Sequence, residues 1–538
     1  MAWWDRFSRR IGAWPTRRVT WALVLAFSVW VLLDVMVLKV TGGLAQSSFD
    51  AMVRARVFAA APDPRIVIID IDEASLVRMG KEFGRWPWPR DTLATVLVHL
   101  ERQQPAAIAW DVLFADADHL SPGGDAAFNE AASRSAHSHF SVVRLPASND
   151  TGSQITPAVL PGLWLAPGSG SAVALIAPAL PAVAAGRLGF NNGYSDADGV
   201  LRRYRYLEPL RDGGAIQSLP LSVLRAMDSI AGDAFLKRAR AIFYQKNELI
   251  SWRSHADSYP RVPFADVFEQ AEGGKPVAGV PDFAGKVIVI GATAPSLHDM
   301  HPTPLSPQQA GVDTLATVMD NALNQRHLAE LPRWVAALLA MGLCVGLALW
   351  VQFKSLATLA PALLALPAAL LGVSYLSLNG LPMFLDLHLA AGLALVFLAV
   401  LRFWSTLRRN HWCSPPAVGA QSLAIWPLAR HSAWLDDDLD RLIDALERHA
   451  PDCRVVVCDA PVSWPATLRW PELARFAAVV GSTEAVSAAR PLLAPALARL
   501  ACQAGEPLLL GGPPNRDQLA RGVAQAWATL TTLDLAPE

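Results

Sequence analysis

Apolar positions in this chain are concentrated in four long runs, one near the N-terminus and three close together in the second half. A helix of about 20 residues crosses the roughly 30 Å of hydrocarbon in a bilayer, and each run has close to that length. The runs predict four transmembrane helices, Val19–Val40, Trp334–Phe353, Leu356–Leu378 and Met383–Leu401. A more polar segment, residues 41–332, separates the first helix from the others and is expected to fold on one side of the membrane.

The basic residues predict which side that is. Five arginines precede the first span, and Arg402, Arg408 and Arg409 follow the last one, whereas the loop 379–382 has no lysine or arginine. Cytoplasmic flanks of membrane helices are enriched in these residues, so we expect both termini in the cytoplasm and the long polar segment outside it. The first span is too long for a cleaved signal peptide and lacks a small-residue cleavage site, which predicts an uncleaved anchor.

The polar segment shows the alternating strand and helix signals of an α/β domain. Apolar, β-branched runs at Arg65–Asp72, Ala106–Phe114 and Lys286–Gly291 predict buried strands, and Thr92–Arg102 and Gly311–Leu323 have helical periodicity. This order predicts a parallel sheet with acidic residues at the carboxyl ends of its strands. All five cysteines of the chain lie outside the segment, so no disulfide is expected to stabilise it.

The C-terminal segment is predicted to form a separate, small cytoplasmic domain over residues 423–538, after a linker at 402–422. Strand and helix signals alternate in it, which predicts a parallel α/β fold. The predicted strands are Leu423–Leu428, Arg454–Asp459, Ala477–Gly481 and Leu508–Leu510, and the predicted helices are Asp436–His449, Thr483–Ala504 and Asp517–Leu530.

Sequence motifs of common catalytic sites are absent from the chain. It has no G-x-x-x-x-G-K-[ST] phosphate loop, no H-R-D or D-F-G kinase motif, no histidine-kinase phosphoacceptor box, and no G-x-S-x-G or H-E-x-x-H. We therefore expect no enzyme activity and no cofactor, with the C-terminal domain a non-catalytic or unrecognised output module. The net charge of −1 argues against nucleic acid as a partner.

Five motifs of the polar segment occur together and in order: IVIIDIDEASL, GRWPWPR, PAAIAWDVLF, FNNGYSDADGVLRRY and FAGKVIVIGATA. With three closely spaced spans after them, they resemble the CHASE type-2 (CHASE2) domain, an extracellular sensory domain associated with cyclases and histidine kinases. The resemblance covers about residues 45–330. It implies a multi-pass protein of the bacterial inner membrane with a periplasmic sensor domain. Family members usually continue into a cyclase or kinase, whose motifs this chain lacks.

Acidic residues at strand ends and tryptophans beside prolines are candidates for ligand binding, since α/β sheets bind ligands there and aromatic rings often line pockets. The candidates predict a cleft for a cation, an amine or a sugar. Alternatively, the acids cap helices or pair with Arg90, and the tryptophans pack in a rigid loop. No metal site is expected, because His298, Asp299 and His301 lack a distant partner ligand. The candidate residues are Asp70, Asp72, Ser75, Trp86, Trp88, Arg90, Asp111 and Asp299.

Two functions fit this layout. In the first, which we favour, an unidentified periplasmic ligand or protein binds the outer domain, and the spans pass a change to the cytoplasmic domain and its signalling partner. In the second, the chain is a non-switching scaffold that links an envelope protein to a cytoplasmic partner. The lipid bilayer is a partner in both, and the small residues of the spans permit a homodimer.

Overall fold

The computed structural model describes residues 11–38, 40–118, 121–166, 172–210, 213–228, 230, 233–235, 237, 247–253, 258–326, 328–353, 361–412, 422–427, 436–458, 476–497 and 508–511. The chain divides into two compact units. The sheet unit comprises residues 42–332 and 373–386, and the span unit comprises residues 1–41, 333–372 and 387–538. The predicted closing helix Asp517–Leu530 lies outside the described residues.

The helices with described bounds are numbered along the chain: α1 (Thr16–Leu33), α2 (Val40–Arg54), α3 (Glu73–Phe83), α4 (Arg90–Arg102), α5 (Pro122–Arg134), α6 (Pro181–Ala185), α7 (Leu219–Met227), α8 (Phe264–Gly273), α9 (Gly311–Leu323), α10 (Arg333–Phe353), α11 (Ala362–Gly380), α12 (His388–Trp412), α13 (Asp436–His449) and α14 (Thr483–Leu497). A π-helical segment, Asp34–Leu38, follows α1, and short 3₁₀ helices cover Ala147–Gly152, Pro161–Leu163 and Pro295–Leu297.

The strands are β1 (Ile66–Ile71), β2 (Ala107–Trp110), β3 (Ser138–Arg144), β4 (Trp164–Ala166), β5 (Leu175–Ile176), β6 (Arg187–Phe190), β7 (Arg203–Tyr204), β8 (Leu207–Pro209), β9 (Ala215–Gln217), β10 (Glu248–Leu249), β11 (Arg261–Pro263), β12 (Val287–Ala292), β13 (Met300–His301), β14 (Gln309–Ala310), β15 (Ala329–Glu330), β16 (Met383–Phe384), β17 (Ser422–Pro427), β18 (Arg454–Cys458), β19 (Phe476–Gly481) and β20 (Leu508–Gly511).

The central sheet of the sheet unit has six parallel strands in the order β11–β1–β12–β2–β3–β6, and the short β5 pairs antiparallel with β3. The prediction of a parallel sheet is confirmed. β12 lies between β1 and β2, with Ile66 opposite Val287 and Ile71 opposite Ala292. Because parallel strands end on the same edge, this order brings the residues that follow β1, β2 and β12 together at the carboxyl edge.

Both faces of this sheet are covered by helices, as expected for parallel strands whose side chains are apolar on both sides. Along β1, Val67 and Ile69 belong to the core cluster shared with α3, α4, α5 and α8. Ile66 and Ile68 point to the other face and pack in a second cluster with α2, α7 and α9. The alternation of side chains along the strand thus divides the core into two layers.

Among the described residues, four helices are long and apolar enough to cross a membrane: Thr16–Leu38, Arg333–Gln352, Ala362–Gly380 and His388–Trp412. They correspond to the four predicted spans, and part of the predicted third span, residues 356–360, lies outside the described residues.

The predicted start of the fourth span, Met383, is wrong. Met383 and Phe384 form β16, which pairs with β15, and α12 begins only at His388. Phe384 is buried in the core of the sheet unit with its ring centroid 5.2 Å from that of Phe49. The apolar character of this segment therefore reflects packing against protein.

The described strands of the C-terminal segment pair in the order β18–β19–β17–β20, and every neighbouring pair is antiparallel. The predicted parallel arrangement is therefore wrong. β17 and β18 flank α13 and run in the same direction, as a strand–helix–strand unit predicts, but β19 lies between them and runs the opposite way. The helix itself has the predicted apolar face, since Leu442, Ile443 and Leu446 are buried.

Candidate ligand-binding site

A cavity of about 470 Å³ lies at the carboxyl edge of the central sheet. β1, β2 and β12 end at it, and the first turns of α9 also line it. Ligands of parallel α/β sheets bind at this edge, and the volume is in the range of small-molecule pockets. The described lining residues are Ile71, Trp86, Pro87, Asp111, Val112, Leu113, Ser141, Val143, Asn191, Gly193, Leu201, Tyr204, Ala292, Leu297, Asp299, His301, Gly311, Thr314 and Leu315.

Asp111 is the acidic residue that follows β2. Its backbone N–H donates to the Ile290 carbonyl oxygen at 2.8 Å, and Asn191 Nδ2 donates to its carboxylate at 2.5 Å. Burial removes water from this carboxylate and the nearby charge of Asp299 repels it, so that the pKa of Asp111 is raised to about 7. A cation that entered the cavity would favour the charged form of the group.

Asp299 and His301 reach the cavity from the β13–β14 hairpin, in which His301 pairs with Gln309. His301 Nε2 lies 3.3 Å from Asp299 Oδ1, and this contact raises the pKa of His301. Gly311, the first residue of α9, leaves room for Asp299, because a Cβ there would lie 2.4 Å from Asp299 Oδ2 and would displace that carboxylate. The carboxylate can therefore approach the N-terminus of α9, where the helix dipole stabilises negative charge.

Thr314 supplies a polar atom without a protein partner. The residue is 4% exposed and lines the cavity, and its hydroxyl makes no hydrogen bond within the described part of the chain. A buried polar group without a partner costs about 1–3 kcal/mol, so this position favours an occupant that forms hydrogen bonds. Trp86 adds an aromatic ring to the lining, packed edge-on against Trp88 with ring centroids 4.9 Å apart.

Three of the eight candidate residues, Trp86, Asp111 and Asp299, line the cavity. They come from distant parts of the sequence and meet because β12 lies beside β2. Their role in binding a ligand stays a prediction.

Asp70, Asp72 and Ser75 make structural contacts and are not among the described lining residues. Asp72 caps α3 by accepting a hydrogen bond from the Ser75 backbone N–H at 2.7 Å, which matches the capping alternative. The Ser75 hydroxyl accepts from the Ala265 N–H at 3.2 Å. Asp70 is buried and lies 3.4 Å from the Arg261 guanidinium.

Trp88 and Arg90 are also outside the described lining. Trp88 is 2% exposed and packs against Phe264 with ring centroids 5.2 Å apart, as the packing alternative expected. Arg90 pairs with Asp125, so the pairing with acids at the strand ends that we considered is wrong. The reason is local: Arg90 starts α4, and the first turn of α5 places Asp125 against it.

Asn191, Tyr204, His301 and Thr314 also line the cavity but were not among the predicted ligand-binding residues. Asn191 follows β6 as Asp111 follows β2, and this repetition of a polar residue after a strand was the available signal. The Tyr204 hydroxyl donates to Asn191 Oδ1 at 3.3 Å. A polar chain thus runs from Asp111 through Asn191 to Tyr204.

Arg202 and Arg203 form an ion-pair network in the sheet unit. Arg202 is 1% exposed and donates to the Asp50 carboxylate in α2 through two hydrogen bonds of 2.7 and 2.8 Å. Arg203 donates to Glu330 through two hydrogen bonds of 2.6 and 2.8 Å. Asp196 contacts both arginines. Such two-point contacts fix orientation more strictly than a single hydrogen bond does.

A family model of the CHASE2 domain matches residues 20–351. The chain belongs to the CHASE2 domain family. The match covers more than half of the chain and extends beyond the expected 45–330 on both sides. No curated protein and no solved structure was found to match it. The resemblance seen in the sequence is confirmed, and CHASE2 is a sensory extracellular domain.

The cavity lies entirely within the CHASE2 match, because its described lining residues fall between Ile71 and Leu315. Within the described ranges, no group of three or more His, Cys, Asp or Glu side chains could hold a metal ion. The site combines two carboxylates, an imidazole, an amide and hydroxyl groups with apolar walls. This arrangement suits the binding of a small organic molecule.

Proposed function

We propose that this chain is a bacterial inner-membrane sensor whose CHASE2 domain detects a periplasmic small molecule in the cavity at the sheet edge. The observation that carries the proposal is this cavity inside a sensory domain, with desolvated Asp111 and with the Thr314 hydroxyl, which has no partner among the described residues. The chain binds its ligand without catalysing a reaction, and a cytoplasmic partner responds to changes in the C-terminal domain.

The contacts of β7 support transmission from the cavity to both ends of the sheet unit. Leu201 and Tyr204 line the cavity, and the two residues between them are Arg202 and Arg203. Their acidic partners are in α2, which follows the first span along the chain, and in β15, which ends three residues before α10 begins. A shift of Leu201 or Tyr204 would therefore change contacts with α2 and with β15, the elements near the two ends of this segment of the chain.

Contacts in the span unit support an output through the C-terminal domain. Arg408 of α12 is 1% exposed and binds Asp444 at 2.6 Å as well as Glu447, both in α13. Glu447 also accepts a hydrogen bond of 2.9 Å from the backbone N–H of Thr16, the first residue of α1. α13 thus contacts the ends of two of the predicted spans.

The proposed topology is tested by reporter fusions in cells. Alkaline phosphatase, which is active only outside the cytoplasm, should be active when fused after Pro332 and inactive when fused after Trp412. The reverse pattern would contradict the proposed periplasmic location of the CHASE2 domain.

Hydrogen exchange of the full chain in lipid nanodiscs separates a sensor from a non-switching scaffold. Asp111→Asn removes the cavity charge, and Glu272→Gln removes an exposed charge on α8 as a control. A sensor predicts that Asp111→Asn changes the exchange of α2, β15 and α13, whereas Glu272→Gln does not. A change confined to the cavity would contradict the sensor and favour the scaffold.

A further inference from the structure

We infer that the ligand of the CHASE2 cavity is a small organic amine, whose ammonium group binds between Asp111 and Asp299 and whose apolar part packs against Trp86. This inference rests on the proposed function, because it names the chemical class of ligand for the same cavity.

The charged groups that line the cavity favour a cationic ligand. Its described lining contains two carboxylates and one imidazole, and no lysine or arginine. His301 lies 3.3 Å from the Asp299 carboxylate, whereas the Asp111 carboxylate accepts a hydrogen bond from the neutral amide of Asn191. Within the described residues, Asp111 therefore interacts with the positive charge of His301 only at longer range and has no positive charge in direct contact with it. An ammonium group supplies that charge and replaces the proton of Asp111.

The uncharged groups of the cavity favour a ligand that has both an ammonium group and an apolar part. The buried hydroxyl of Thr314 has no partner in the described chain, and an ammonium group has three N–H donors that it can satisfy. The aromatic face of Trp86 attracts cations and apolar groups alike. Leu201, Leu297 and Leu315 complete an apolar wall that a bare ion would not use.

The same groups argue for an organic amine over a metal ion. A divalent cation of the Ca²⁺ or Mg²⁺ type requires six or more oxygen ligands, several from carboxylates or water. The described residues contain no group of three potential metal-binding side chains. The cavity volume of about 470 Å³ is also much larger than an ion and fits a compact molecule.

The test is thermal unfolding of the full-length protein in nanodiscs with a panel of matched probes. The amines are butylamine, putrescine and phenethylamine, the neutral analogues are butanol, butanediol and phenethyl alcohol, and the anionic analogues are valerate and hydrocinnamate. Calcium and zinc chloride are tested alone. The variants are Asp111→Asn and Glu272→Gln, the second being an exposed control outside the cavity.

We expect at least one amine, at tenfold excess over its Kd, to raise the melting temperature by about 2–4 °C. The shift should be lost in Asp111→Asn and kept in Glu272→Gln. The amine inference is overturned if only the neutral probes, the anionic probes or a metal ion stabilise the protein. It is also overturned if an amine stabilises Asp111→Asn as much as the wild type. If those other probes stabilise the wild type but not a third variant, Trp86→Ala, the proposed sensor function stands. If no probe of any class stabilises the protein, the amine inference and the proposed sensor function are both overturned.

Discussion

Arg203 and Glu330 bind each other side by side: Arg203 Nε donates to Glu330 Oε2 at 2.8 Å, and Nη2 donates to Oε1 at 2.6 Å. The pair joins β7, whose Tyr204 lines the cavity, to β15, which immediately precedes α10 in the chain. Both side chains are largely buried, with exposures of 17% and 25%. The contact therefore connects the candidate site to the exit of the CHASE2 domain.

Glu330→Gln should weaken this connection without abolishing the fold. Arg203 keeps Asp196 as a partner but loses a two-point ionic contact, so we expect a loss of about 1–2 kcal/mol in the free energy of unfolding. Hydrogen exchange should also become faster in β15. Denaturant unfolding of the detergent-solubilised protein measures the first effect, and an unchanged midpoint would contradict it.

Replacing Arg202 should reduce the free energy of unfolding more than breaking the Arg203–Glu330 pair does. Arg202 is fully buried, and Arg202→Met leaves the Asp50 carboxylate without its cation, which should cost about 3–5 kcal/mol or prevent folding. Asp198→Asn is the milder test of the same network, because Asp198 is 42% exposed and its loss should cost below about 1 kcal/mol. Equal losses in the two variants would contradict the network as described.

Asp111→Asn should stabilise the protein at alkaline pH. The pKa of Asp111 is raised to about 7 in the folded state, so folding favours the protonated carboxyl group, and this stabilisation is lost as the pH rises from about 4 through 7. Asparagine can still accept from Asn191 without carrying a charge. We expect a gain of about 1–2 kcal/mol at pH 8.

The matched measurement compares unfolding at pH 5 and pH 8. Asp299 and His301 also face the cavity in both proteins, so only the difference between the wild type and Asp111→Asn reports on Asp111. The difference should be smaller at pH 5 than at pH 8. A variant that is less stable than the wild type at pH 8 would contradict the raised pKa.

Gly311→Ala should displace Asp299 from the N-terminus of α9. The added Cβ would lie 2.4 Å from the carboxylate, which can move because it ends a side chain. We expect the pKa of His301 to fall as this contact is lost, which an NMR titration measures. Gly193→Ala is the control, since its Cβ would meet Leu201 only at 3.5 Å and should leave the His301 titration unchanged.

Arg408→Met should loosen the C-terminal domain from the end of α12. Arg408 is buried against Asp444 and Glu447, so its loss leaves two carboxylates without this cation. We expect hydrogen exchange in α13 to rise by about tenfold or more, the equivalent of 1.4 kcal/mol. Arg448→Met replaces an exposed arginine of the same helix and should have little effect. Equal exchange in both variants would contradict the contact.

The bounds of single helices and strands could be predicted from the sequence. The order in which the strands pair could not. The helix Gly311–Leu323 has the predicted bounds because its periodicity is local. The insertion of β12 between β1 and β2, and of β19 between β17 and β18, depends on pairing between distant segments, which periodicity does not encode. For the same reason Asp111 and Asp299 were recognised one by one, whereas Asn191 and Thr314 were missed.

The most direct test of coupling between the cavity and both domain ends is a distance between spin labels at Ser47 in α2 and Ala329 in β15, both exposed positions. Gly193→Phe fills the cavity beside Leu201, and Gly273→Phe adds the same side chain where a Cβ meets open space. We predict a shifted distance distribution in Gly193→Phe and an unchanged one in Gly273→Phe, measured in nanodiscs. A folded Gly193→Phe variant with the wild-type distribution would contradict the coupling.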